Sequence, residues 1–143
     1  MPTPNKQATA IVAPPGAPIH SSQVRWDTRT RDEFCFFHLD FDVRAAKKLL
    51  AAVPRKVTLV PITEYRALSR FIVLLKERPV YRPVDLAVPM IIVRNRMVLD
   101  GHRRTAQLII DGSHRMDDGF RSKMTHLPAV FLTLAESRAL RID

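Results

Sequence analysis

Residues 89–110 read PMIIVRNRMVLDGHRRTAQLII, and this stretch decides how the chain folds. It begins with a proline-led apolar run, residues 89–93, and continues after the polar triplet 94–96 with a second apolar run, residues 97–99. Short apolar runs on either side of a polar triplet are typical of two β-strands joined by a tight turn. We therefore predict a pair of short strands here, with Asn95 supporting the turn between them.

The pattern changes from strand to helix at Asp100-Gly101. Three apolar residues within residues 102–110 fall on one face of a helix, since they recur at helical spacing. These residues are Ala106, Ile109 and Ile110. A glycine just past the apolar pattern is a common end signal for a helix, and Gly112 stands in that position. The sequence therefore predicts a strand that turns at Gly101 directly into a helix.

A strand-to-helix turn of this kind suits a bound phosphate. The first N–H groups of a helix lack internal partners, and the helix dipole places partial positive charge beside them. Gly101 would let a ligand approach the backbone closely, and the guanidinium groups of Arg103 and Arg104 match the geometry of phosphate. We predict that Gly101, His102, Arg103 and Arg104 bind phosphate. The alternative is an ordinary Asp-Gly turn that leads into a solvated helix.

Neighbouring residues extend the predicted site. Arg94 and Arg96 are auxiliary candidates for contacts with DNA or phosphate, and Asp100 is the candidate ligand for Mg²⁺. His102 is the candidate catalytic residue, because an imidazole exchanges a proton near neutral pH. A zinc site is not expected, since the spacing of twelve between successive histidines from His102 to His126 is not that of metal ligands.

The other elements predict a small mixed α/β domain. The predicted helices cover residues 42–53, 64–77 and 135–141, and the predicted strands cover residues 56–62 and 127–133. Residues 34–41 are interpreted as a strand or an ordered loop, and residues 113–126 as a polar surface segment with one short helical turn.

Length and composition limit the number of domains and the kinds of partner. A chain of 143 residues is long enough for one core, and residues 1–20, which hold five of the 11 prolines, predict a flexible leader before a single domain over residues 21–143 with its core at about 42–143. The net charge of +9 favours a polyanion such as DNA as partner. Because no apolar run approaches the roughly 20 residues that cross a bilayer, we expect no membrane contact and a cytoplasmic location.

Several segments together resemble the ParB N-terminal, or ParB/sulfiredoxin, family. They are the proline-led strand 89–93, the segment MVLDGHRRTA at 97–106, and LPAVFL at 127–132. The resemblance covers roughly residues 55–143 and is strongest over residues 89–110. It implies a compact α/β fold, with a small mixed sheet flanked by helices, in which residues 101–104 hold the phosphates of a nucleoside triphosphate, CTP or ATP, with Mg²⁺.

Two departures from the sequence pattern of that family limit the functions that the resemblance implies. Sulfiredoxins place a reactive cysteine beside the histidine of this turn, whereas here Gly101 precedes His102. The second phosphate motif and the helix-turn-helix of partition proteins do not occur in the 143 residues. The leading hypothesis is a nucleotide-binding domain in a DNA-linked process such as plasmid or mobile-element partition, with NTP hydrolysis and a homodimer left open. The alternatives are a non-specific DNA-binding protein or nuclease, and an interaction or inhibitor module with a vestigial nucleotide site.

Overall fold

The computed structural model describes residues 10–28, 33–36, 39–65, 86–99 and 101–142. Within these residues the strands are β1 (Glu33–Phe36), β2 (Leu39–Asp42), β3 (Thr58–Pro61), β4 (Met90–Leu99), β5 (His102–Asp111) and β6 (His126–Phe131). The helices are α1 (Val43–Ala52), α2 (His114–Arg121) and α3 (Leu134–Ala139), with a short 3₁₀ helix at Ser21–Gln23, and residues 62–65 are also helical. The mixed α/β class predicted from the sequence is confirmed.

The main sheet has the order β3-β6-β4-β5, and β1 pairs with β2 in a separate hairpin. β4 runs parallel to β6 and antiparallel to β5, so the sheet is mixed. Its inner strands are apolar on both faces, because helices cover both sides of the sheet. Ile91 and Val93 belong to a first core cluster with Leu50 of α1, whereas Ile92 belongs to a second cluster with Met116 of α2.

The prediction of a helix over residues 102–110 is wrong. This segment is strand β5, and it pairs with β4 from Leu99–His102 at the turn to Ile91–Asp111 at the base. β4 is continuous through residues 94–96, so the predicted turn at that triplet is also absent from the described chain. The apolar residues alternate between faces, since Leu108 lies in the first cluster and Ile109 in the second. That two-residue period fits a strand between two apolar layers better than one face of a helix.

Most of the other predicted elements are confirmed. The helix predicted over residues 42–53 is α1, and its N-terminus is capped by Asp42, whose Oδ1 accepts a hydrogen bond from the amide of Ala45 at 2.9 Å. The strands predicted over residues 56–62 and 127–133 are β3 and β6, and the closing helix is α3. Of the predicted segment 34–41, residues 34–36 lie in β1 and residues 39–41 in β2, and the two residues between them are not described. The polar segment 113–126 holds more helix than predicted, namely the eight residues of α2.

The predicted helix 64–77 and the predicted leader lie partly outside the described residues. Residues 62–65 are helical, and residues 66–77 are not described. Of the leader, residues 10–20 are described, and backbone hydrogen bonds of 2.9 Å join the carbonyl of Val12 to the amide of Thr125 and the carbonyl of Ile19 to the amide of Val57. The boundary between leader and domain at residue 20 stays a prediction.

A bidentate ion pair ties α3 to the segment before β3. The guanidinium of Arg55 donates to both carboxylate oxygens of Glu136 at 2.5 and 2.7 Å, and it also donates to the carbonyl of Phe131. Hydrogen bonding from Arg55 is the main reason that the pKa of Glu136 falls from its usual value of 4.5 to about 2. Because the folded-state pKa is lowered, the ion pair stabilises the protein fully above pH 4.5 and loses that effect as the pH falls towards 2.

We therefore expect Glu136→Gln to lower the free energy of unfolding at neutral pH by on the order of 1–2 kcal/mol, the usual range for a charge-assisted hydrogen bond at a partly exposed site. The difference between wild type and variant should shrink as the pH drops below about 4.5. Urea denaturation at a series of pH values measures both effects, with the exposed Glu64→Gln as control. A difference that stays constant down to pH 2 would contradict this assignment.

Candidate nucleic-acid interface

The β4-β5 hairpin is buried at its base and exposed towards its turn. At the base, residues 90–93 and 108–110 are buried. Residues 102–105 of β5 are exposed, and residues 106 and 107 are half-buried. We refer to residues 94–99 and 102–107 as the distal arm. At about 3.4 Å per residue, each six-residue strand of the arm is roughly 20 Å long.

The two faces of the distal arm have different environments. Asn95 is 5% exposed, and Met97 packs against the first core cluster, so this face lies on the body of the protein. Arg94, Arg96 and Val98 alternate with them and are exposed, with Val98 at 67%. Consecutive side chains of a strand point to opposite faces, so these three residues share the outer face of the arm.

The strand register adds residues of β5 to the same face. Arg94 is paired with Gln107, Arg96 with Thr105, and Val98 with Arg103. The side chains of directly paired residues lie on one side of a sheet. We call this set the basic face. It consists of Arg94, Arg96, Val98, Arg103, Thr105 and Gln107.

The residues predicted to cradle a phosphate do not converge. Arg103 belongs to the basic face, whereas His102 and Arg104 point to the other side of the ribbon, although all three are exposed. Gly101 has φ +77° and is exposed with open space around its Cα, so it serves the hairpin turn. The expected cluster of free helix N–H groups is not formed at Gly101, because the residues that follow it are in a strand. Asp100 lies outside the described residues.

The arginines of the arm carry uncompensated charge within the described part of the chain. The ion pairs of Arg55 with Glu136 and of Arg115 with Asp111 involve no arginine of the arm. No carboxylate of a described residue lies within ion-pair distance of Arg94, Arg96, Arg103 or Arg104. Among the described residues, no carboxylate therefore neutralises their guanidinium groups.

A tyrosine from a neighbouring segment orients one polar residue of the basic face. The hydroxyl of Tyr65 donates to Oε1 of Gln107 at 3.0 Å, which leaves the amide NH₂ group of Gln107 as a donor. Burial is the main reason that the pKa of Tyr65 is raised. The negative charge of Glu64 raises this pKa further, and the positive charge of Arg94 lowers it. Tyr65 thus lies close enough to Arg94 to sense its charge. Sequence reasoning missed both Tyr65 and Gln107, since their proximity depends on the hairpin register.

A strand-to-helix turn does occur in this protein, but at the second Asp-Gly pair. β5 ends at Asp111, Gly112 has φ +91°, the buried Ser113 occupies the N-cap position, and α2 begins at His114. Nη1 of Arg115 donates to the carbonyls of Val88 and Pro89 at 2.7 and 3.0 Å. Its Nη2 lies 3.9 Å from the Asp111 carboxylate. Arg115 is thus committed to holding this turn against the start of β4.

Gly112 should tolerate no side chain, in contrast to Gly101. A Cβ at Gly112 would lie 2.8 Å from Cγ of Met90 and 2.9 Å from Nη1 of Arg115, whereas a Cβ at Gly101 meets no atom within 4 Å. We expect Gly112→Ala to destabilise the fold by about 2–4 kcal/mol through overpacking and left-handed strain, and Gly101→Ala by only about 1–2 kcal/mol through strain alone. Thermal unfolding of both variants tests this, and equal losses would contradict the packing at Gly112.

Two other features, a metal-binding cluster and a membrane-spanning helix, are not found among the described residues. No group of three or more His, Cys, Asp or Glu in this part of the chain is placed to bind a metal ion. None of its helices combines the length and apolar character needed to cross a bilayer. Comparison with family models, with curated proteins and with solved structures finds no match to this chain.

Proposed function

We propose that this protein binds nucleic acid through the basic face of its β4-β5 hairpin. The observation that carries the proposal is the alignment of Arg94, Arg96 and Arg103 on one exposed face, without a carboxylate partner among the described residues. Arginine donates to phosphate in a forked geometry and keeps its charge at any physiological pH. The net charge of +9 adds long-range attraction for a polyanion.

Binding of this kind should depend steeply on salt. Each neutralised phosphate of duplex DNA releases condensed counterions, so the slope of log affinity against log salt is about −0.9 per contact. Three arginines on the basic face account for a slope of roughly −3, and contacts by His102 or Arg104 at the tip would steepen it. The rigidity of a paired strand also lowers the entropy lost when these side chains meet a ligand.

The experiment is a titration of a labelled duplex at several salt concentrations. Neutralising Arg94, Arg96 and Arg103 together to glutamine should make the salt slope shallower by about three, roughly one per lost phosphate contact. The matched control removes three exposed charges elsewhere, as Lys56→Gln, Arg121→Gln and Lys123→Gln. Both variants have the same net charge, so a difference between their salt slopes reports binding at the arm. Equal slopes in the two variants would overturn the proposal.

A second candidate is nucleotide binding, in keeping with the resemblance to ParB-like domains and a role in plasmid or mobile-element partition. The observation that favours it is the turn at Asp111–Arg115, where a strand leads through a left-handed glycine into a helix. A helix N-terminus favours an anion, and CTP or ATP with Mg²⁺ would be the ligand. Titration with each nucleotide tests this. Binding retained in Arg103→Ala/Arg104→Ala supports the turn at 111–115, and binding lost in that variant contradicts it.

A further inference from the structure

We infer that the ligand of the basic face is duplex DNA and that the distal arm inserts into its major groove. The side chains of this face then contact base edges as well as phosphates. The inference rests on the proposed function and goes one step beyond it. Three observations carry it, namely the ribbon form of the arm, the kinds of side chain on its outer face, and their spacing.

The width of the arm fits a wide groove of a nucleic-acid duplex. Two paired strands with their side chains are close in width to an α-helix, and the major groove of B-form DNA, about 12 Å wide, admits either element. The minor groove is only about 6 Å wide. The major groove of A-form RNA is deep and narrow, so side chains on a ribbon cannot read its bases. A ribbon that is exposed from residue 102 to residue 105 therefore fits duplex DNA best.

The side chains of the basic face suit base edges. Arginine pairs with O6 and N7 of guanine, and the free amide group of Gln107 can donate to the major-groove edge of a base. Val98 is 67% exposed and lies directly opposite Arg103. An exposed valine between arginines adds nothing to phosphate binding, but its methyl groups can contact the methyl group of thymine. Every cationic side chain on this face is arginine, the residue with the forked geometry that guanine recognition uses.

The spacing also matches DNA. Arg94 and Arg96 are two residues apart on β4, which separates their Cα atoms by about 6.8 Å along the strand. Successive nucleotides of one DNA strand are spaced by about 3.4 Å along the helix axis. Arg96 and Arg103 are diagonal neighbours across the ribbon, because Arg96 pairs with Thr105. Three guanidinium groups can thus sample bases that are two steps apart on one strand and a base on the other.

The test begins with selection of bound duplexes from a random-sequence DNA library by the full-length protein. We expect enrichment of a defined sequence that contains guanine, the base that arginine contacts in the major groove. In that site, replacing guanine and adenine by their 7-deaza analogues removes the N7 acceptors in the major groove and leaves the phosphate charge unchanged. The substitution should weaken wild-type binding by about tenfold or more, the cost of one or two lost base contacts. The same substitution should cost the Arg96→Ala/Arg103→Ala variant no more than about twofold, because that variant lacks the contacts.

The outcomes separate this inference from the proposed function. Salt-dependent binding of duplex DNA without an enriched site, or without a loss on 7-deaza substitution, overturns major-groove reading and leaves nucleic-acid binding in place. Tighter binding of double-stranded RNA or single-stranded DNA of the selected sequence also overturns it. Binding to none of these nucleic acids overturns both.

Discussion

Reversing the charge of two arginines on the basic face, as Arg96→Glu/Arg103→Glu, should weaken binding to duplex DNA by at least about a hundredfold at 0.1 M salt. Each substitution removes a phosphate contact and adds a negative charge that repels the same phosphate, and the effect of several phosphate contacts accumulates to factors of this size. Fluorescence anisotropy with a labelled duplex measures the loss.

The matched control is Arg121→Glu/Lys123→Glu, at the C-terminal end of α2. Both double variants lower the net charge from +9 to +5, because each replacement removes one positive charge and adds one negative charge. We expect the control to lose less than about fivefold, since long-range attraction falls off within a Debye length of about 10 Å at this salt. A control that loses as much as the arm variant would show that net charge alone drives binding.

Leu108→Ala should lower the free energy of unfolding far more than a change at the exposed end of the same strand. Leu108 is 3% exposed and lies in the first core cluster with Val93, its partner in the strand register. Truncation of a buried leucine removes apolar contacts and leaves a cavity, at a cost of about 2–5 kcal/mol. The exposed Thr105→Ala on the same strand should change the free energy of unfolding by less than about 1 kcal/mol. Chemical denaturation of both variants tests the register, and a Leu108→Ala loss below that of Thr105→Ala would contradict it.

The elements outside the hairpin are predictable from local signals. Asp42 caps α1, Thr133 and Glu136 form a capping box at α3, and the apolar run of β6 is buried. Each of these signals depends on residues within one or two turns of each other. Local hydrogen bonding and burial then act in the same direction, which is the condition under which sequence patterns specify structure.

The hairpin was mispredicted because residues 102–110 fit two periods. Ala106, Ile109 and Ile110 match a helical face, while Leu108 and Ile110 match one face of a strand. Only the presence of apolar layers on both sides of the sheet resolves the ambiguity, because it gives Ile109 a core of its own. That information comes from the packing of α1 and α2 on opposite faces of the sheet, which residues 102–110 do not encode by themselves. Tertiary packing therefore decided between two locally acceptable structures.

The misplaced turn has a related cause. Asp-Gly followed by histidine and arginine occurs at residues 100–103 and again at residues 111–115, where a serine is inserted. Gly101 lies in the hairpin turn and Gly112 in the strand-to-helix turn, although both glycines adopt positive φ. Composition does not separate the two positions. The two positions differ in their place relative to β5. The chain leaves the sheet only after residues 102–111 have paired with β4.

Backbone amide NMR spectra of the protein, recorded while a short DNA duplex is added, test the location of the binding surface. If nucleic acid binds through the basic face, the largest shifts occur in the distal arm, at residues 94–98 and 102–107, with small shifts over residues 111–116. Shifts confined to residues 111–116, with the arm unchanged, would contradict nucleic-acid binding through the basic face.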